Sequence, residues 1–543
     1  MFRLLPAPMR RRAWPALVAA AMLCAAAHPV SAQVRLPALG EGAAEDFSAG
    51  TERKLGEQIM RDVWRDPDYL DDPVLLEYLQ SLWRPIVDAA RARGDIESDA
   101  EAAFAWDAFL VRDRTVNAFA LPGGWVGVHL GLIAMTASRD ELASVLAHEL
   151  SHVTQRHIAR SIANSSRTSL IGLAGAILAI LAASRSNNAD AVQAAVIGGQ
   201  AAAMQGQLNF SRDMEREADR IGFLVLRDAG YAPGGMATMF EKLDNANRLN
   251  DSGAYPYLRS HPLTTERMSE ARSRTLLAGA GKPTLPLTHA LMQARARVLM
   301  DPNVQTLRRL QEPLAGSATP QLRDRLSQLY AGALASSMLR DHALAETATR
   351  EAQALLTGAA EREPQAERYV LLLQAQVRLA RGDPGGALQA LRQLPGETDA
   401  RAPMMLRAQA ALDAQRLNVK GAPDELRTST EALQTWLANH RRDAKAWEML
   451  ASTSGAIGLQ LRSLRANAEA RAADGDLNGA IDRFRAAQTA ARTASAGQDF
   501  IEASIIDARL RDLLGQRRQL ALEMRGNRGG RGGPEGDGAP QPQ

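Results

Sequence analysis

The sequence predicts a mainly α protein in two parts: an α+β domain with a small sheet, then an all-α helical repeat domain. Three observations carry this. Aromatic residues make up only 4% of the 543 residues, while alanine, leucine and arginine are abundant, a bias toward helix. Period-two alternation of apolar residues is confined to residues 104–128, which leaves room for a small sheet only. Past residue 285 the chain becomes a run of Ala/Leu/Arg helices in which two segments resemble each other. The length calls for two or three domains, and the apolar fraction of 46% is ordinary for globular protein.

At the start, Arg3 and Arg10, Arg11 and Arg12 precede an apolar run over 13–27 and then "VSA" before Gln33. That is the layout of a secretory signal peptide over 1–32, cleaved after Ala32. A membrane anchor is the alternative, but the run is shorter than the roughly 20 apolar residues a spanning helix needs. Either reading places the chain outside the cytoplasm, and we expect the periplasm. Cleavage would remove four arginines and no acidic residue, turning a formal charge of +3 into −1, so no nucleic-acid partner is expected. The single cysteine, Cys24, would leave with the signal; Leu23 before it is bulky where a lipidation signal wants a small residue. Any metal site in the mature chain must therefore use His and carboxylate ligands.

Residues 52–90 read as two amphipathic helices split by the acidic "RDPDYLDDP". In "FAWDAFLVRD", Phe104, Trp106, Ala108 and Leu110 alternate on one face as in a strand. "TVNAFALPGGWVGVHLGLI" gives two further short strands turned at Gly123 and Gly124. Residues 170–204 hold two apolar helices joined by the polar "SRSNNAD", a hairpin expected to be a lid or partly buried, with peripheral membrane contact as the alternative; its first run of 14 residues is too short to span a bilayer upright. Further on, the segments from Tyr369 and from Ala466 each show a helix, a Gly-Asp turn (Gly382-Asp383, Gly475-Asp476) and a second helix opening with a small residue (Ala387, Ala480). This is the logic of tetratricopeptide repeats, in which small residues let paired helices pack closely; an irregular helical bundle is the alternative. The glycine-rich tail over 526–543 has nothing to bury and is expected to be disordered.

The chemistry is concentrated in "HELSH", residues 148–152. His148 and His152 stand four apart, so both imidazoles leave one helical face and can share a metal. Glu149, a step round the helix, is placed to take a proton from a water on that metal. Two surface histidines on an amphipathic helix would satisfy the same pattern, so a third ligand is needed. It is offered by "FSRDMEREADRIGFLVL": Glu215 can coordinate zinc directly, and Asp219, four further on, can orient a ligand imidazole. A metzincin would need glycine at 155 and histidine at 158, where Gln155 and Ile158 stand.

"NAFALPGGWVGV", "LAHELSHVTQRH", "FSRDMEREADRIG" and "SHPLTTERM", in that order behind a signal peptide, resemble the BepA-like β-barrel assembly-enhancing zinc proteases, kin to HtpX and the CAAX prenyl endopeptidases. The resemblance covers about residues 45–275 well and the repeats only in type. It implies a zincin-like metalloprotease domain over 33–285 and a tetratricopeptide-like domain over 286–525. It further implies one Zn2+ held by His148, His152 and Glu215, with Glu149 as base and Asp219 as second support or proton donor. By the same resemblance His261 of the "HP" motif can approach the metal and hold the enzyme in check, and Arg267 contacts substrate or the oxyanion. Substrate would add as a strand along the edge formed by Asn117, Ala118, Phe119, Gly123 and Gly124. The substrates expected are misfolded or stalled envelope proteins, with outer-membrane barrel-assembly machinery as partner of the repeats. The rival expectation is a periplasmic chaperone or scaffold whose metal site stays mostly closed.

Overall fold

The computed structural model describes residues 48–164, 212–249, 255–279, 285–314, 321–396, 400–493 and 500–529. The expected signal peptide, the 170–204 hairpin and the tail beyond residue 529 lie outside the described residues. Among those described, no helix is long and apolar enough to cross a membrane.

The N-terminal part begins with helix α1 (Ala49–Val63), strand β1 (Tyr69–Leu70) and helix α2 (Pro73–Arg93). Asp72 caps α2, its Oδ1 accepting from Leu75 N at 2.8 Å, and Pro73 follows at the first helical position, where its missing N–H costs nothing. After α3 (Ser98–Ala103) come β2 (Asp107–Val111), β3 (Ala118–Leu121) and β4 (Trp125–His129). The sheet order is β1-β2-β4-β3, with β2 parallel to β4 and the outer pairs antiparallel. Three strands were expected; the fourth, β1, comes from the middle of the "RDPDYLDDP" linker, too short to show periodicity.

The expected strand from Phe104 starts only at Asp107, because Trp106 takes a left-handed φ of 51° and breaks it. Both faces of β2 are then covered. Ala108 and Leu110 join the core under α2, while Phe109 and Val111 pack with Ile59, Met60 and Val63 of α1. Gly123 and Gly124 both have positive φ at the β3–β4 turn, as a tight hairpin requires. Next come α4 (Leu130–Met135), α5 (Arg139–Thr154), α6 (His157–Asn164), α7 (Arg212–Asp228), α8 (Gly234–Leu249), α9 (Pro256–Ser260) and α10 (Thr265–Leu277).

The C-terminal part is helical throughout: α11 (Leu287–Leu299), α12 (Val304–Gln311), α13 (Leu322–Met338), α14 (His342–Thr357), α15 (Pro364–Ala380), α16 (Pro384–Leu391), α17 (Arg401–Arg416), α18 (Ala422–Asn439), α19 (Ala444–Ala456), α20 (Gln460–Ala473), α21 (Leu477–Thr493) and α22 (Phe500–Gly529). Consecutive helices pack on one another. At both Gly-Asp turns the glycine has positive φ and the aspartate caps the next helix, Asp383 accepting from Gly386 N and Asp476 from Gly479 N. Ala387 and Ala480 are fully buried.

One hydrophobic cluster runs from Leu70 through the sheet and α5 into α11, α13 and α15, so the two parts share a core. Polar links flank it. His289 donates from Nε2 to Thr136 O at 3.0 Å and accepts at Nδ1 from the Tyr78 hydroxyl at 2.6 Å. Arg295 grips both carboxylate oxygens of Asp72 at 2.7 and 2.6 Å, and Arg401 grips Asp71 at 2.5 and 2.7 Å. Arg295 is 2% exposed. Arg295→Met should therefore lower stability in urea unfolding by about 3–5 kcal/mol, since it leaves Asp72 buried and unpaired. Asp72→Asn in the same chain should recover part of the loss while still capping α2; equal losses in single and double variants would contradict this seating.

Candidate metal centre

Helix α5 is buried along its whole length from Asp140 to Thr154, so the two histidines of "HELSH" do not sit on a surface face. Its start is built as a cap: Ser138 Oγ accepts from Glu141 N at 3.1 Å, and Glu141 returns a carboxylate oxygen to Ala137 N at 2.6 Å. Helix α7 crosses α5 at Gly222, where a Cβ would lie 3.1 Å from Ala147 O. This close approach brings Glu215 and Asp219 to the histidines.

Four donors converge. His148, His152, Glu215 and His261 each offer a ligand atom, all within 4.8 Å of one another. His148 Nε2 is 3.0 Å from His152 Nε2 and 3.4 Å from His261 Nδ1; Glu215 Oε1 is 3.0 Å from His261 Nδ1 and 3.5 Å from His152 Nε2. Ligands about 2.0 Å from a tetrahedral zinc stand about 3.3 Å apart, so these separations are those of a metal's coordination shell. None of the four side chains is more than 2% exposed. Beside them Glu149 is fully buried, with the Ala120 backbone and His261, whose Nε2 stands 3.5 Å from Oε1, as its polar neighbours. Three imidazoles and a carboxylate converging in a buried pocket, with two ring nitrogens 3.0 Å apart, are a poor protein interior and a good cation site. The residues present thus fit a zinc ion.

A second ring holds the first. Asp219 Oδ1 lies 3.0 Å from His148 Nδ1, and Arg267 clasps Asp219 through Nε at 2.6 Å and Nη2 at 2.8 Å. Arg267 Nη1 also reaches Glu215 Oε2 and Pro262 O, each at 2.8 Å. On the other side His157 Nδ1 is 2.8 Å from His152 Nδ1, and Glu217 Oε2 is 3.0 Å from His157 Nε2 and 2.9 Å from Arg160 Nη1. Tyr257 of α9, 2% exposed, places its ring 4.7 Å from that of His261. The charges follow this geometry. Burial alone would lower His148, but Asp219 and Glu215 outweigh it and push its pKa up to about 9. Burial and the neighbouring His148 hold His152 well below its ordinary value. Burial raises the Glu149 carboxyl, while Asp219, despite burial, is held low by Arg267 and His148.

Residues 80–275 match peptidase family M48. The chain is 30% identical over 471 residues to the β-barrel assembly-enhancing protease of Escherichia coli strain K12, covering 87% of this chain and 90% of that one. The chain belongs to family M48. A similar protein of the same description in Yersinia pestis is 29% identical, over 87% of this chain and 91% of its own. The mitochondrial metalloendopeptidase OMA1 of Saccharomyces cerevisiae is 27% identical over 40% of this chain and 61% of its own. As an M48 metallopeptidase like the assembly-enhancing proteases, the chain carries its HELSH helix and Glu215 within the matched span.

The M48 site brings His148, Glu149, His152, Glu215, Asp219 and His261 together. Ala118 and Phe119, with Asn117 just before them, fall at the outer strand of the sheet, since among the described residues β3 pairs only with β4, and α5 packs against that strand. Arg267 is placed otherwise than the resemblance implied. It is 4% exposed and spent on Asp219, Glu215 and Pro262, so it supports ligands where a substrate contact was expected. His157, Glu217, Arg160 and Tyr257 were missed. The signal for His157 was its place five beyond His152, just past the helix, but its meaning depends on a turn at Arg156 that periodicity does not reveal. Arg267→Ala should cost about 3–5 kcal/mol of stability, because two buried carboxylates lose their cation. Thermal unfolding checks it: a parental melting temperature with only KM raised would restore the substrate-contact reading.

Proposed function

We propose that this metallopeptidase is a zinc-dependent endopeptidase of the periplasm, exported by residues 1–32, that hydrolyses misfolded or stalled envelope proteins. The observation that carries the catalytic part is the shell of four donors at tetrahedral spacing beside the buried Glu149. His148, His152 and Glu215 would hold the ion; when bound, zinc supplies Lewis acidity, acidifying a water and polarising the scissile carbonyl. Glu149 accepts the proton of the attacking water on a carboxylate oxygen and returns it to the leaving amine. Burial raises its affinity for that proton, while His261 and His148 beside it favour the carboxylate. Asp219 holds His148 through Nδ1, and Arg267 holds Asp219.

Substrate is proposed to add as a strand beside β3, gripped by main-chain hydrogen bonds and so with little sequence preference. Asn117 supports this: it adjoins β3, is 5% exposed, and its Oδ1 has no hydrogen bond among the described residues. Only extended chain can lie along such an edge, which favours unfolded clients. The helical stack, read as tetratricopeptide-like repeats, is proposed to hold partners in outer-membrane protein assembly; the similarity to the β-barrel assembly-enhancing proteases of Escherichia coli and Yersinia pestis supports a role in assembly.

His261 favours a second reading, a scaffold whose site is mostly closed. With Nδ1 in the donor shell it would take the place that a catalytic zinc keeps open. Tyr257 N donates to Val116 O at 3.4 Å, which ties the short helix before His261 to the loop that leads into β3. We propose that His261 is a gate, open when the enzyme works. Glu149→Gln should keep one zinc per chain and lose cleavage of an unfolded protein by about 10²–10⁴-fold or more; cleavage at the parental rate would sink the mechanism. His261→Ala should raise cleavage, including self-cleavage, with zinc retained. Reduced proteolysis at full zinc occupancy would count against the gate.

A further inference from the structure

We propose that His157 is a positioning residue that fixes the tautomer and ring orientation of His152 as a metal ligand and ties it to α7. The proposal rests on the metal centre described above. It follows from proton placement. His152 Nε2 faces the donor shell, 3.0 Å from His148 Nε2 and 3.5 Å from Glu215 Oε1, and a ligand nitrogen must present a lone pair. Its proton therefore sits on Nδ1. That atom is 2.8 Å from His157 Nδ1, so His152 donates and His157 accepts. The proton of His157 is left on Nε2, which donates at 3.0 Å to Glu217 Oε2, an oxygen also held by Arg160. The chain of bonds runs in one direction only. Reversed, it would put a proton on His152 Nε2 and cancel the ligand.

A ligand histidine ordinarily gives its second N–H straight to a carboxylate or carbonyl. At His148 the carboxylate of Asp219 stands directly beside Nδ1, at 3.0 Å. For His152 the carboxylate is one imidazole further off, and the interposed ring is fully buried. Continuing α5 could not have produced this contact, because five residues along a helix turn about 140° away from the starting face. Arg156 makes it by adopting φ 52°, a left-handed conformation that a non-glycine residue avoids. Its guanidinium is anchored on α1, with Nη2 3.1 Å and Nε 3.3 Å from Glu52 Oε2. Glu217 lies two residues past Glu215, so the relay also joins the helix that carries the second ligand to the helix that carries the third.

The test uses the full chain, with zinc affinity measured by competition against a chromophoric chelator and the visible bands of the cobalt-substituted protein as a spectroscopic signature. His157→Phe keeps the ring volume and removes the acceptor; His157→Gln restores an acceptor without the ring. His157→Phe should bind zinc about 10 to 100-fold more weakly and alter the cobalt bands, while His157→Gln should recover most of both. Parental affinity and bands in His157→Phe would overturn the proposal, as would equal losses in the two variants, which would mean packing alone. If metal-free His157→Phe melts well below the parent, Glu217→Ala reads the same relay from its outer end: a several-fold loss of affinity supports it, and none overturns it. A parent that takes up no zinc would overturn the metal centre and this proposal together. A parent that binds and cleaves, with variants indistinguishable from it, would overturn the role of His157 alone.

Discussion

The approach of α7 to α5 at Gly222 sets the terms for the site. A Cβ there would sit 3.1 Å from Ala147 O and 3.2 Å from the Cα of His148, so the two backbones touch where the first ligand leaves its helix. From that crossing Asp219 lies three residues back and Glu215 seven, both on the face turned to α5. A Cβ at 222 would already press on the backbone of α5, and the shift it required would be felt first at the ligand positions on either side of the crossing. His261, Arg267 and the loop between them then pack on what the two helices present.

Placing Glu149, Glu215 and Asp219 together in the interior is electrostatically costly, since each carboxylate loses its hydration. Arg267 is the permanent cation that compensates for two of them, and His148 is drawn toward the charged form by the same groups. Glu149 has no arginine beside it and is compensated only by the neighbouring His261 and His148, so burial still raises its carboxyl. The surrounding core tolerates the cost because it is large and continuous, reaching from the sheet into the helical stack.

Much of this was legible in the sequence where one helix carries a complete pattern. The four-residue spacings of His148 with His152 and of Glu215 with Asp219 place each pair on one face, and the structure brings both pairs into one cluster. The Gly-Asp turns of the stack were readable for the same local reason. What escaped was non-local or broke periodicity. Two residues of β1 carry no pattern; Trp106 and Arg156 adopt left-handed backbone that no propensity suggests; and Arg267 could be assigned only once Asp219 was known to lie beneath it. His157 was visible as a histidine, but its partner depended on the turn before it.

The shared core and the grips of Arg295 and Arg401 on the acidic start of α2 fasten the helical stack to the part that carries the metal centre. In a tethered design, a linker averages over many separations, and the concentration of a captured chain at the active site depends on linker length. Here packing takes the place of a linker. A chain bound to the stack would meet the metal centre from a distance and direction set by the shared core, so that its effective concentration there would follow from geometry and not from linker length.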